Sequence, residues 1–226
     1  MNTKAEIKEN IRCILGELDG RARLLLATKT VPAEIINYAV TCGTNLIGEN
    51  RVQELLEKYD SLDREKMEIH FIGHLQTNKV KYIIDKVSMI HSVDSLSLAK
   101  EIEKQASKHG ITMKVLVEVN IGNEEGKSGI SLSETESFVD SLGDFPHLSL
   151  CGLMVIPPKT EFPEENLHFF EKIYQKFIDI SQKKEDNKNW TVLSAGMSGD
   201  YLQAVSKGAN LVRVGSGVFG ARSYPT

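Results

Sequence analysis

Short apolar runs alternate with longer segments of helical periodicity along most of the chain. Eight runs rich in Leu, Ile and Val each have the length of one strand: 23–28, 45–48, 68–72, 88–93, 114–120, 148–155, 191–194 and 210–214. The segments between them place apolar residues three and four apart, as on one face of a helix: 32–41, 50–60, 77–86, 95–109, 131–142, 163–182 and 198–208. This alternation predicts an α/β protein with a (β/α)8 TIM barrel, ahead of an open doubly wound sheet.

An additional helix is predicted before the first strand. Ile7, Ile11, Ile14 and Leu18 recur at steps of four, three and four, and Gly20 is placed to end the helix. We expect this helix, within residues 1–20, to pack on the barrel. A chain of 226 residues with 41% hydrophobic content can fill one barrel, so a single domain, 1–226, is predicted. Four hydroxyl residues are candidate helix caps: Thr77, Ser95, Ser131 and Ser198.

Charge and cysteine content narrow the range of partners and compartments. The 27 basic and 31 acidic residues give a net charge of -4, and no long stretch carries only positive charge, so nucleic acid and anionic membranes are not expected partners. The three cysteines are far apart and suggest neither a disulfide framework nor a zinc site. No signal-peptide pattern and no apolar run of about 18 residues or more is found. A cytoplasmic protein is therefore predicted.

Polar residues and glycines collect where the predicted strands end, which is the active face of a barrel. With Met154 they are, in chain order, Lys29; Glu49 and Asn50; His74 and Gln76; Ser92 and Asp94; Asn120; Ser194, Gly196 and Ser198; and Arg213, Gly215 and Ser216. Lys29 comes at the end of LLLATKTVP. A desolvated amine suits covalent chemistry, whereas a lysine at a strand end also reaches water easily. This residue alone leaves both interpretations open.

The loop after the last predicted strand, RVGSGVFG, contains Gly215, Gly217 and Gly220 in a formal G-x-G-x-x-G pattern. The residues after Gly220 do not supply the following helix and acidic residue of a dinucleotide site, so that interpretation fails. Together with the preceding loop LSAGMSGD, this loop suits a phosphate, although two ordinary tight turns are the competing interpretation. LSAGMSGD lacks the last glycine of a serine-hydrolase elbow, and Ser198 is interpreted as the cap of a helix that points at an anion.

The histidines do not form a metal-site pattern. His70 and His74 are four apart, but the first lies in a predicted strand, so they would not share the helical face that zinc ligands need. With His91 they are interpreted as core or loop histidines, and no metal site is expected. Glu57 and Lys58 are interpreted as solvated helix surface.

Arg213 differs from the other charged residues because it stands within an apolar strand. A buried guanidinium needs a partner, and a carboxylate is the ordinary one. In a site that also holds Lys29 and a phosphate loop, the nitrogen of a heteroaromatic ring is the competing partner.

Together these residues resemble the pyridoxal 5′-phosphate sites of alanine-racemase-like barrels. The resemblance is closer to the pyridoxal 5′-phosphate homeostasis protein family, over nearly the whole chain. The matching sequence segments, in the order in which the family has them, are LLLATKTVP, LIGENRVQE, IHFIGHLQTNKVK, VNIGNEEGKSG, CGLMVIPP, LSAGMSGD and VRVGSGVFGAR. Of these, GENRVQE and IGHLQTNK are specific to the family. Ala195 and Ser216 depart from the methionine and threonine that are usual there, but both changes keep the backbone donors and Ser216 keeps a hydroxyl.

The resemblance implies a cofactor, pyridoxal 5′-phosphate, held as a Schiff base on Lys29. It implies that Asn50 and Met154 line the ring and that Arg213 faces the pyridine nitrogen. It also implies phosphate contacts from the loop residues Ser194, Ser198, Gly215 and Ser216. No residue is assigned a catalytic role.

An arginine at the pyridine nitrogen disfavours protonation of the ring and makes it a poorer electron sink, which discourages transamination. Racemisation would need a second acid/base group; no second domain follows in this sequence, and none of its six tyrosines falls at a predicted strand end. We therefore expect a monomeric protein that holds pyridoxal phosphate, passes it to apoenzymes and affects vitamin B6 and amino-acid balance without turnover. The alternatives are a small amino-acid racemase and a phosphosugar enzyme that uses Lys29 as a Schiff base.

Overall fold

The computed structural model describes residues 1–183 and 189–221. The predicted domain, 1–226, therefore includes two stretches, 184–188 and 222–226, that lie outside the described residues. Within the described part the α-helices are α1 (Lys4–Leu18), α2 (Ala33–Ala39), α3 (Val52–Lys58), α4 (Leu96–His109), α5 (Thr135–Ser141), α6 (Leu167–Lys183), α7 (Tyr201–Ser206) and α8 (Ser216–Phe219). None of these helices combines the length and the apolar character that crossing a bilayer requires.

The strands form a closed parallel barrel. They are β1 (Arg23–Ala27), β2 (Leu46–Glu49), β3 (Glu68–Phe71), β4 (Met89–Val93), β5 (Met113–Asn120), β6 (Ile130–Ser131), β7 (Leu148–Val155), β8 (Val192–Ser194) and β9 (Leu211–Val214). The ring runs β1-β2-β3-β4-β5-β7-β8-β9, and pairing of β9 with β1 closes it. The predicted TIM barrel is thus confirmed. The two-residue β6 extends the sheet beside the end of β5 and is too short for its periodicity to be recognised.

The three consecutive leucines of LLLAT divide between two cores. Leu24 and Leu26 belong to the large core between the barrel and its helices. Leu25 belongs to a separate interior cluster with Leu46, Ile72 and Leu211. Successive side chains of a strand point to opposite faces, and a parallel barrel strand is buried on both. A continuous apolar run is therefore the pattern that this architecture requires.

The N-terminal helix begins at a capping box. The Thr3 hydroxyl accepts a hydrogen bond from the Glu6 amide while the Glu6 carboxylate accepts one from the Thr3 amide. The four apolar residues that predicted α1 are all buried in the large core: Ile7, Ile11, Ile14 and Leu18. The Asn2 amide donates to the Phe219 carbonyl at 2.9 Å and so ties the start of α1 to α8.

One predicted helix, 77–86, is replaced by a shorter 3₁₀ helix, Thr77–Tyr82. Thr77 lies inside it and not at its cap, and the true cap residue, Gln76, makes no side-chain capping bond. The segment is also rich in β-branched residues, which lower helix propensity. Ser95, by contrast, caps α4 as predicted, because its hydroxyl accepts from the Leu98 amide at 3.3 Å.

Candidate functional site

A cavity of about 470 Å³ lies at the C-terminal ends of β1, β2, β3, β7, β8 and β9. Its size falls in the range of small-molecule sites. Five of the eight predicted cofactor-binding residues line it: Asn50, Ser198, Arg213, Gly215 and Ser216. The other lining residues are Ala27, Ile72, Ile156, Met197 and Gly199.

Lys29 lies two residues beyond Ala27, the last residue of β1, and is half-buried. Thr28 between them is fully buried, and its hydroxyl bonds the Gly48 carbonyl and the Glu49 carboxylate. Ala27 itself lines the cavity. Lys29 itself stands in the turn that follows β1 and is not among the residues that line the cavity.

The loop that carries Lys29 is held by a buried ion pair. Lys58 of α3 approaches the Glu49 carboxylate at 2.8 Å and donates to the Thr28 carbonyl at 3.0 Å. Burial raises the pKa of Glu49, although Lys58 and Thr28 act in the opposite direction. The Lys58 side chain is only 12% exposed, so its interpretation as solvated helix surface was wrong. Helical spacing cannot reveal this role, because the partner comes from another strand.

The residue after Lys29 has an unusual backbone conformation. Thr30 has φ +63°, a left-handed conformation that β-branched residues rarely adopt. Its amide donates to the Glu54 carboxylate of α3 at 2.8 Å. Strained conformations of this kind persist where surrounding contacts impose them, and they cluster at functional sites. Helix α3 therefore fixes this loop at two points, through Lys58 and Glu54.

Asn50 follows β2 and packs against the turn after β3. A Cβ atom at Gly73 would lie 2.1 Å from the Asn50 carbonyl oxygen. Only glycine allows the two loops to come this close, since that contact is with backbone and cannot move away. The glycine in the sequence word IGHLQTNK is thereby explained by its packing against the cavity wall.

Ser198 joins the two predicted phosphate loops. Its hydroxyl accepts hydrogen bonds from the amides of Gly215 at 3.3 Å and Gly217 at 3.1 Å. The prediction that Ser198 caps the following helix was wrong, because α7 begins only at Tyr201 and Asp200 is its cap residue. Backbone N–H groups of the last loop therefore converge on one oxygen atom, an arrangement that also suits an anion.

Arg213 is buried inside the barrel beside this loop. Its Nη1 donates to the Ser194 hydroxyl at 2.6 Å and its Nη2 donates to the Val155 carbonyl at 2.9 Å. Burial lowers the pKa of the guanidinium to about 10, so it stays charged at neutral pH, while the carboxylates of Glu118 and Asp200 oppose the shift. Among the described residues no carboxylate lies within salt-bridge distance of Arg213. The ordinary partner considered for this residue is therefore not the one observed.

Besides Lys29, two further predicted cofactor contacts lie away from the cavity wall. Ser194 is fully buried beneath Arg213, and Met154 is fully buried in an interior cluster with Met89, Leu116 and Cys151. Ile156, two residues beyond Met154, takes the position at the wall. Both assignments stay predictions, and the geometry gives Ser194 a different role, as the support of the arginine.

Glu118 of β5 is a charged interior residue that the sequence analysis did not single out. It is 9% exposed, and its Oε2 has no hydrogen-bond partner among the residues that the structure describes. Burial raises its pKa to about 7, aided by the nearby Asp94 and opposed by Arg213. The signal was present in the strand KVLVEVN, where one glutamate interrupts an otherwise apolar run.

His70 and His91 are both core histidines, as expected. Inside the barrel, His70 is 98% buried and His91 is fully buried. Within the part of the chain that the structure describes, no group of three or more metal-ligating side chains occurs.

Comparison with known proteins places this chain in a family. The family model described as alanine racemase, N-terminal domain, matches residues 3–223. The pyridoxal phosphate homeostasis protein of Aquifex aeolicus is 44% identical over 209 residues, covering 92% of this chain and 91% of that protein. The chain belongs to the pyridoxal phosphate homeostasis protein family. The Escherichia coli member is 34% identical over 229 residues, covering 97% of this chain and 95% of its own.

Solved structures agree with this assignment. PipY of Synechococcus elongatus, solved with pyridoxal phosphate bound, superposes with a TM-score of 0.82 at 29% identity, over 95% of this chain and 100% of that one. Alanine racemase of Clostridium difficile superposes with a TM-score of 0.76 at 16% identity, over 98% of this chain and 58% of the racemase. At that identity the racemase shows the shared fold alone.

Proposed function

We propose that this protein binds pyridoxal 5′-phosphate in the cavity at the strand ends, holds it as a Schiff base on Lys29, and serves cofactor and amino-acid homeostasis without turnover. The observation that carries the proposal is the convergence of a buried, charged Arg213 and the amide-rich loop at Ser198 on one cavity. Membership of the family and the pyridoxal phosphate bound to PipY support the choice of ligand.

The loop residues fit a phosphate group. The amides of Gly215 and Gly217 both donate to the Ser198 hydroxyl oxygen, so a phosphate oxygen would accept from the same donors once that hydroxyl turns away. A Cβ atom at Gly217 would approach Val214 at 3.0 Å and Ser198 at 3.5 Å, and glycine keeps this space open. Ser216, with its own hydroxyl, also lines the cavity.

The cavity walls fit an aromatic ring with a polar edge. Ile72 and Ile156 are apolar wall residues, Asn50 is polar, and Arg213 presents N–H groups only. A guanidinium donates to an unprotonated ring nitrogen and repels a protonated one. The bound cofactor supplies an aldehyde for condensation with an amine and a ring that withdraws electrons, most strongly when the ring nitrogen is protonated. Arg213 therefore favours holding the cofactor over using it as an electron sink.

The contacts on both sides of Lys29 support covalent attachment at this residue, because they hold its backbone. The ion pair between Glu49 and Lys58 and the bond from the Thr30 amide to Glu54 hold the backbone on both sides of Lys29. A fixed backbone lowers the entropy that is lost when the amine reaches one atom of a ligand. Transfer to apoenzymes, a cytoplasmic location and a monomeric state complete the proposal.

Amino-acid racemisation is the second candidate function, and the match to the alanine racemase N-terminal domain is the observation that favours it. Chiral chromatography of alanine and serine after incubation with the loaded protein separates the two proposals. The carrier proposal expects no D-enantiomer above a protein-free control, and steady racemisation that is lost in Lys29→Ala would favour the racemase.

Absorbance titration with pyridoxal phosphate tests the binding proposal. Wild-type protein should develop a visible band at one equivalent of the cofactor, and Lys29→Ala should not. Lys8→Ala, which removes an exposed lysine of α1, is the matched control and should behave as wild type. A Lys29→Ala variant with an unchanged band would overturn the Schiff-base assignment. A purified protein that is yellow without added substrate would argue against the phosphosugar enzyme.

A further inference from the structure

Four side chains form a hydrogen-bonded relay across the barrel interior. Arg213 Nη1 bonds Ser194 Oγ at 2.6 Å, Ser194 Oγ lies 3.3 Å from His91 Nδ1, and His91 Nε2 lies 2.9 Å from His70 Nδ1. They come from β9, β8, β4 and β3. All are at least 96% buried. The relay therefore begins at the cavity of the proposed cofactor site and runs through the protein interior.

A consistent set of proton positions starts from Arg213. A guanidinium has donors only, so Ser194 Oγ must accept from Arg213. Among the described residues, the hydrogen bonds of Ser194 Oγ offer its single proton no acceptor other than His91 Nδ1, so we assign that proton to this bond. A neutral His91 consequently carries its proton on Nε2 and donates it to His70 Nδ1. His70 in turn carries its proton on Nε2.

Both histidines are neutral in the folded protein. Burial lowers the pKa of His70 to about 3, and the cations of Arg23 and Lys114 act in the same direction. Burial also lowers the pKa of His91, helped by His70 and Arg213. Within the described residues, the carboxylate nearest this pair is that of Glu68, whose Oε2 lies 3.8 Å from His70 Nε2, beyond hydrogen-bond distance.

The relay ends at the opposite face of the barrel. His70 lines a cavity of about 550 Å³ at the N-terminal ends of the strands, together with Arg21, Arg23 and Asn210. The Nε2–H of His70 is the last donor of the relay on this side. The relay thus joins the two faces of the barrel through side chains alone.

We propose that His70 and His91 are positioning residues, which orient the Ser194 hydroxyl and through it fix the guanidinium of Arg213 in the cofactor cavity. The link to cofactor binding rests on the proposed function, but the tautomers do not. Ser194 has one proton to give, and in this assignment His91 Nδ1, 3.3 Å from its oxygen, accepts it. Without that acceptor the hydroxyl turns to another direction and its lone pairs no longer face Arg213 in one fixed orientation.

The ¹⁵N spectrum of the ligand-free full chain, labelled at histidine, tests the tautomers directly. Both His70 and His91 should show a protonated Nε2 and an unprotonated Nδ1, without titration between pH about 5.5 and 8, because both stay neutral when buried. A protonated Nδ1 on His91, or titration near its ordinary pKa, would overturn the proposal. This result does not depend on whether the protein binds pyridoxal phosphate.

A matched pair of variants tests the effect on Arg213. In His91→Asn the amide oxygen takes the place of Nδ1 and still accepts from Ser194, whereas His91→Leu offers no acceptor. The hydrogen bond that would weaken is donated by the charged guanidinium of Arg213. Affinity for pyridoxal phosphate should therefore fall roughly three- to tenfold in His91→Leu and less than about twofold in His91→Asn. The pH profile of the visible band should move only in His91→Leu.

Equal losses in the two variants would indicate a packing effect and would overturn the proposal, as would no loss in either. If His91→Leu does not fold, Ser194→Ala replaces it, because this variant removes the acceptor of Arg213 itself and carries the same expected loss. Failure of wild-type protein to bind pyridoxal phosphate would contradict the proposed function, and the tautomer measurement would still decide the relay.

Discussion

Replacing Glu118 by glutamine should stabilise the ligand-free protein, and the gain should grow as the pH rises. Glu118 is 9% exposed, and in the described part of the chain its Oε2 has no hydrogen-bond partner. A carboxylate in this position has lost its hydration without a full set of replacements. Glutamine keeps the size and the polarity of the side chain but removes the charge that burial disfavours.

The magnitude follows from the change in pKa. Burial first, and Asp94 second, raise the pKa of Glu118 from 4.5 to about 7. Between these values the folded protein keeps a proton that the unfolded chain releases, so stability falls as the pH rises through this window. Each pKa unit is worth about 1.36 kcal/mol, which puts the full penalty at about 3 kcal/mol above pH about 7. The Glu118→Gln advantage should therefore grow from about 1 kcal/mol at pH about 5.5 to about 3 kcal/mol at pH about 8.5.

Urea denaturation at several pH values measures this difference. The single tryptophan, Trp190, is 5% exposed and stacks on Phe177, so its fluorescence should report unfolding. Glu125→Gln is the control, because it makes the same charge change at an exposed residue. A Glu118→Gln variant no more stable than wild type at alkaline pH, or a difference that does not vary with pH, would refute the reasoning.

Three further outcomes are expected, with stability measured by the same urea denaturation and cofactor binding measured by the absorbance titration. Gly73→Ala should cost about 2–3 kcal/mol and weaken cofactor binding, because its Cβ would meet the Asn50 carbonyl at 2.1 Å, whereas Gly16→Ala in α1 meets nothing and should be neutral or stabilising. Lys58→Met should cost about 3–5 kcal/mol, since it leaves the fully buried Glu49 unpaired; recovery in a double variant with Glu49→Gln is expected, and its absence would contradict the ion-pair argument. The buried neutral His91 should make stability fall by up to about 1.4 kcal/mol per pH unit below pH about 6.5, because the unfolded chain takes up a proton that the folded one does not, and His91→Asn should reduce that slope.

The sequence predicts the barrel well because each strand is buried on both faces. Apolar runs such as LLLAT leave little ambiguity about where strands lie, and the caps at Ser95 and Gly110 mark α4 at both ends. The 77–86 segment was harder, because its apolar spacing is helical while its β-branched composition favours a shorter 3₁₀ turn.

The site is predictable only in part, because its polar contacts join strands that are distant in sequence. Five wall residues follow from their places at strand ends. The burial of Ser194 depends on its depth in the barrel, and the role of Lys58 depends on its reach to Glu49. Neither depth nor reach is encoded in a local pattern. The relay could not be predicted either, because no local pattern around His91 indicates that Ser194 and His70 are its neighbours.

Borohydride reduction of the protein loaded with pyridoxal phosphate, followed by mass mapping of the modified peptide, tests the central claim most directly. Reduction makes a Schiff base permanent and so records which amine held the cofactor. The account predicts one equivalent of adduct on Lys29 and none in the Lys29→Ala variant. A principal adduct on another lysine, or no adduct on a protein that nevertheless binds the cofactor, would contradict it.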